Sequence, residues 1–193
     1  ANASGVYTVD VSTLTAPYVV QVLANAGGQT VLLHSLATAA DVGTRAVNVT
    51  PLTEIITASV LGTDPQAAVA AGTVPFNAIT GSALADAETA LERCLAPVLS
   101  VAGLGSVDLR STEFKADHSG LDGVLDALKV TRDSGGYTIA LVTGGASITV
   151  DPANLGASTT LAAPTGAQLD ALTAASGDIR SLLGELAARF ATA

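Results

Sequence analysis

Asn48-Val49-Thr50-Pro51-Leu52-Thr53-Glu54 hands an extended segment over to a helix. Thr50 is a capping residue. Pro51 takes the first helical position, where its missing N–H forfeits no bond, and Glu54 sets a carboxylate in the first turn against the helix dipole. The block predicts a helix starting at Pro51, with Leu52, Ile55, Ile56, Ser59 and Val60 as its buried stripe and Gly62 followed by Asp64-Pro65 as its stop. Arg45-Ala46-Val47-Asn48-Val49 leads into it as a short extended piece.

Upstream, the pattern is that of strands. Val6-Tyr7-Thr8-Val9-Asp10-Val11 alternates, Tyr18-Val19-Val20-Gln21-Val22-Leu23 follows Pro17, and Gly27-Gly28 turns the chain into Thr30-Val31-Leu32-Leu33-His34-Ser35-Leu36. This predicts a three-stranded antiparallel meander. Downstream, Gln66 to Ala71 suits one or two helical turns. From Ser82 to Val101, Leu84, Ala87, Leu91, Leu95, Val98 and Ala102 recur at helical spacing, with Pro97 expected to bend or break the helix near Arg93 to Ala96. Cys94, inside that helix, reads as a small buried hydrophobe.

Leu121, Val124, Leu125 and Leu128 mark a further helix, capped by Asp117 or Ser119. It runs into Lys129-Val130-Thr131, and turns at Asp133-Ser134-Gly135-Gly136 and Gly144-Gly145 then produce a second meander of three short strands. Thr165 and Gln168 form a capping box for a terminal helix whose stripe is Leu169, Leu172, Ser176, Ile179, Leu183, Leu186 and Phe190. The fold class is therefore α+β: an N-terminal antiparallel β-meander, central helices, a second small β-hairpin sheet and a C-terminal amphipathic helix. Residues 1–49 make a β-rich N-terminal part and 50–193 a helical part with inserted β-hairpins, read as one continuous unit.

Composition narrows the function classes. Of 193 residues, 49% are hydrophobic and 13% charged, which argues against disorder. No window of about 18 residues escapes a charge, a Pro or a turn cluster, so no membrane-spanning helix is expected. Eight Lys and Arg face 17 Asp and Glu, a net charge of −9 that excludes a conventional nucleic-acid footprint. One cysteine permits no internal disulfide, and with two histidines it cannot build a four-ligand Cys/His zinc site. Met is absent even at position 1, from which a processed or longer precursor is expected.

Four blocks carry a resemblance. They are Gly5 to Val11 with Ala16-Pro17-Tyr18, then Asn48 to Glu54, then Phe114 to Asp122 with Val124 to Val130, and the terminal helix. Taken in this order they resemble a repeated α+β domain of exported proteobacterial surface proteins and lipoproteins, often found after immunoglobulin-like or carboxypeptidase-regulatory-like modules. The resemblance covers nearly the whole chain. It implies export, surface display and membership of a longer precursor, and brings no catalytic residues with it. His118 departs from it, since similar sequences often carry a small polar residue there.

Two groups of residues merit a functional reading. On a helix beginning before His118, residues His118, Asp122 and Asp126 would share one face at i, i+4 and i+8, with Asp117 beside them, a spacing that presents metal ligands or a general base. Capping and dipole effects account for the same acids without a ligand and are the preferred explanation; calcium is the ion expected if the group binds one. Tyr7, Tyr18 and Tyr137 are the candidates for a sugar-stacking platform, against ordinary packing of half-buried strand residues. His34 shares its face with Leu32 and Leu36 and reads as a hydrogen-bonded core or edge histidine. No nucleophile elbow or phosphate-loop lysine is present.

The expected protein is thus not an enzyme. It is a structural or adhesive module of a secreted bacterial cell-surface protein, acting through contacts with other protein subunits or flanking domains. Leu169, Leu172, Ile179, Leu183, Leu186 and Phe190 are its candidate assembly residues, and a filament or surface layer its assembled form. The alternatives are an extracellular carbohydrate-binding module taking a cell-surface glycan and, third, a metal-dependent hydrolase using the His118 group.

Overall fold

In the computed structural model, the described residues are 1–2, 5–26, 29–133, 136–165 and 168. Helix α1 (Pro51–Leu61) starts as its sequence dictates: the Thr53 N–H donates to the Thr50 hydroxyl at 3.2 Å and the Thr50 N–H donates to the Thr53 hydroxyl at 2.8 Å. It ends at Gly62, whose φ of 63° places it in the left-handed region. Two residues on, the Asp64 carboxylate accepts the Gln66 N–H at 2.9 Å and caps α2 (Pro65–Ala71).

The buried surface of α1 is wider than one stripe. Leu52 to Ala58 are all buried, as is Leu61, whereas Ser59 and Val60 of the expected stripe are only half-buried. The reason is its position. Strand β2 (Gln29–Ala37), helix α3 (Gly81–Val101) and the 3-10 turn Pro152–Ala157 all pack on α1, so it is enclosed on several sides.

The N-terminal sheet has two strands where the sequence predicts three. Strand β1 (Tyr18–Ala26) pairs antiparallel with β2, Tyr18 opposite Ala37 and Gln21 opposite His34. Residues 6–11 pair with no strand among the described residues. Val6 and Val9 are 60% and 59% exposed, and the segment is held instead by the Tyr7 hydroxyl, which donates to the Val47 carbonyl. Alternation alone could not distinguish it from a strand, because a strand requires a partner. Residues 45–49 are likewise irregular: the Asn48 N–H donates to the Arg110 carbonyl at 2.7 Å, and its side-chain amide donates to the carbonyls of Leu109 and Thr112.

Thr80 caps α3, which runs unbroken through Pro97. The expected break is absent, and Ala102, expected in its buried stripe, is exposed beyond its end. Proline withholds one N–H and disturbs the turn before it. A neighbouring segment supplies a donor there, since the Leu161 N–H reaches the Cys94 carbonyl at 2.7 Å. Cys94 is fully buried, as expected.

Helix α4 (Gly120–Ala127), with Ser119 at its cap position, passes directly into β3 (Leu128–Asp133). Strands β4 (Gly136–Leu141) and β5 (Ser147–Val150) complete a three-stranded antiparallel meander in the order β3-β4-β5. Its inner face presents Tyr137, Ile139, Leu141, Ile148 and Val150 to a hydrophobic cluster that extends from Leu36 to Leu161 and includes residues of α1, α3 and α4. The fold is α+β, with two antiparallel sheets and interposed helices. Thr165 and Gln168 make the reciprocal bonds of the expected capping box. The stripe Leu169, Leu172, Ile179, Leu183, Leu186 and Phe190 lies outside the described residues. No helix among the described residues is long and apolar enough to cross a membrane.

Candidate functional site

His118 does not sit on a helix. Helix α4 begins at Gly120, and His118 precedes its cap with φ at 62°, so the expected continuous i, i+4, i+8 face does not form. The chain instead folds back over the first turn of α4. Gly123 permits this approach: a Cβ there would lie 2.9 Å from the His118 carbonyl oxygen. The His118 N–H donates to Asp122 Oδ2 at 2.7 Å, and its Nδ1 lies 2.6 Å from Asp126 Oδ2.

The three side chains therefore meet by a route other than the expected one. One ligand atom from each of His118, Asp122 and Asp126 lies within 4.8 Å of the others. Asp117 is not among them. Its carboxylate accepts the Ser119 hydroxyl at 2.6 Å and the Ser119 N–H at 3.1 Å, and these bonds hold it below the usual aspartate range.

The three tyrosines do not make an exposed platform. Tyr137 is 3% exposed, with the Arg132 guanidinium 5.9 Å from its ring centroid and its hydroxyl unpartnered among the described residues. Burial, with the Glu54 carboxylate nearby, pushes the Tyr137 phenol up to about 12. Tyr7 is half-buried with its hydroxyl engaged by Val47, and Tyr18 is half-buried at the start of β1. Strand pleat explains the loss, because Tyr137 falls on the inward face of β4.

A buried polar group joins the N-terminal sheet to α1. His34 is fully buried, and every polar atom it has is engaged. Its N–H donates to Glu54 Oε2 at 2.6 Å, Nδ1 lies 2.9 Å from the same oxygen, and Nε2 lies 3.0 Å from Gln21 Nε2. A proton on Nδ1 satisfies both ring contacts, donating to the carboxylate and accepting from the amide. The His34 carbonyl accepts the hydroxyls of Thr53 and Thr57 at 3.2 and 3.4 Å. Burial raises Glu54 above the usual glutamate value, and the attraction of His34 only partly opposes it. His34 is hydrogen-bonded, and of the core and edge positions that its strand pattern allows it takes the core one. Its partner was not legible, since Glu54 in the first turn of α1 already had an explanation in the helix dipole.

A shallow cleft of about 190 Å³ lies between the end of α1, β3, β4 and Pro152. Tyr137, with its hydroxyl unpartnered among the described residues, is part of its lining, while the charged groups of Arg132, Asp64 and Asp151 are matched. Arg132 binds both oxygens of Asp64, at 2.7 and 2.5 Å, and Asp151 accepts the Ala153 N–H at 2.9 Å. Arg132 holds Asp64 below the usual aspartate range. Elsewhere, Glu88 of α3 anchors the 108–112 loop through Arg110, whose N–H and Nε each donate to it at 3.2 Å. These charges join elements to one another. The chain matches no protein-family model, no curated protein and no solved structure.

Proposed function

We propose that this chain is a non-catalytic structural or adhesive module of an exported bacterial surface protein, working by strand addition along the outer edge of β1. The observation that carries the reading is an asymmetry between the two edges of the N-terminal sheet. The backbone of His34 in β2 points away from β1, because its N–H and carbonyl are bonded to Glu54, Thr53 and Thr57 of α1. Helix α1 thus covers the β2 edge there, as proteins commonly do to prevent unwanted pairing. Strand β1 pairs with no second strand among the described residues, and no backbone hydrogen bond from another element reaches it there. Because His34 faces Gln21, the antiparallel ladder also turns the backbone of Val19, Gln21 and Leu23 outward. Leu23 is 65% exposed on that strand.

An open nine-residue strand offers donors and acceptors that a strand from another subunit can pair. The partner that best fits a displayed repeat is a second copy of the module or its neighbour in the same precursor. The four-block resemblance supports export and surface display. Size-exclusion chromatography with light scattering, and electron microscopy at high concentration, test the reading. The intact chain should form assemblies, and Leu23→Pro, which removes one outward N–H without touching the β1–β2 ladder, should reduce them at unchanged circular dichroism. A monodisperse monomer at high concentration, or equal assembly by Leu23→Pro, would overturn it.

A further inference from the structure

We propose that His118, Asp122 and Asp126 form a binding site for one divalent cation of the first transition series, with zinc as the representative ion. Geometry comes first. Ligand atoms bound to a common zinc at about 2.0–2.2 Å must lie within roughly 4.4 Å of one another. The three side chains already bring such atoms within 4.8 Å, so small rotamer adjustments close the set. Asp122 and Asp126 are one turn apart on α4, and the imidazole is delivered to them by the fold-back over Gly123.

Donor chemistry selects the ion. One imidazole nitrogen with two carboxylates suits zinc, cobalt or nickel, whereas calcium takes six to eight oxygens, more than this group supplies. Charge agrees, since two carboxylates outnumber a single imidazole and leave the cluster net negative. When a cation binds through Nδ1, the ring carries its proton on Nε2, and the Nδ1–Asp126 hydrogen bond is replaced by two bonds to the same ion. The ion then ties residue 118 to the second turn of α4. Three protein ligands on an exposed surface leave coordination positions open to water or to a group from another molecule.

Isothermal titration calorimetry of the full chain with zinc chloride and, separately, calcium chloride tests the site, with circular dichroism as the check on folding. Zinc should bind with one-to-one stoichiometry, and His118→Ala and Asp126→Asn should each weaken it about tenfold or more while the fold is retained. Both positions are exposed, so neither substitution opens a core. Cobalt added in place of zinc should produce visible absorption that His118→Ala abolishes. No zinc binding, binding that survives both substitutions unchanged, or calcium bound more tightly than zinc would each overturn the proposal.

Discussion

The Glu54 carboxylate accepts both the backbone N–H and the ring of His34 from within the core. Removing it leaves two buried donors with no acceptor, which costs about 3 kcal/mol or more for a buried pair broken on one side. Glu54→Ala is therefore expected to lower unfolding stability by about that amount in urea. Glu54→Gln keeps an acceptor at the same place and removes a buried charge, so its loss should be well under half as large. Equal losses in the two variants would show that the contact acts by shape alone. The same pair marks the limit of what the residues reveal before folding. Leu32 and Leu36 flanking His34 give that histidine an apolar face by alternation, at the core or an edge, and it lies in the core. Its partner lies on a different element 20 residues away, and nothing local in either segment specifies the pairing.

At the scale of elements, legibility follows the range of the interactions that create them. Helix α1 begins where Thr50 and Pro51 say it should, because capping acts over three or four residues. Thr50 is buried, and its hydroxyl takes the Thr53 N–H while its own N–H goes to Thr53. Thr50→Ala should accordingly cost about 1 kcal/mol, the typical value for a cap, while Thr50→Ser should be nearly neutral; chemical denaturation measures both. The second meander was equally readable, since Gly-rich turns and alternation set its register locally. Residues 6–11 show the opposite case. Their alternation matches that of β1, yet only β1 finds a ladder. The His118 group lies between these extremes. Its members were identifiable by type and spacing, but the fold-back that assembles them depends on a left-handed residue 118 and a bare Gly123, which helical periodicity does not contain.

Across the whole molecule, a net charge of −9 acts together with the buried acids to set the response to pH. Glu54, Glu88 and Glu92 are all raised above the ordinary glutamate value of 4.5, chiefly by burial. A carboxyl raised on folding favours the folded state while protonated. Its contribution is complete below 4.5 and is lost as pH climbs through the raised value. Asp64 is depressed by the Arg132 guanidinium, and Asp108, although burial opposes it, is depressed by hydrogen bonds from Ser111. Their contribution has the opposite sign: present above the ordinary aspartate value of 3.8 and lost as pH falls through the depressed one. Self-repulsion among excess acids adds to the loss on the alkaline side and is relieved near the isoelectric point of 4.3. The stability maximum should therefore fall near pH 4 to 5, below the usual range of about 5 to 8. Scanning calorimetry from about pH 3 to 8 should show Tm declining toward neutrality, less steeply at high salt, where surface repulsion is screened. The double variant Glu54→Gln, Glu88→Gln should flatten that decline at both salt concentrations, because desolvation of buried carboxyls is insensitive to mobile ions. A Tm that rises to neutrality in the intact chain, or a decline abolished by salt alone, would mean that the buried glutamates do not govern it.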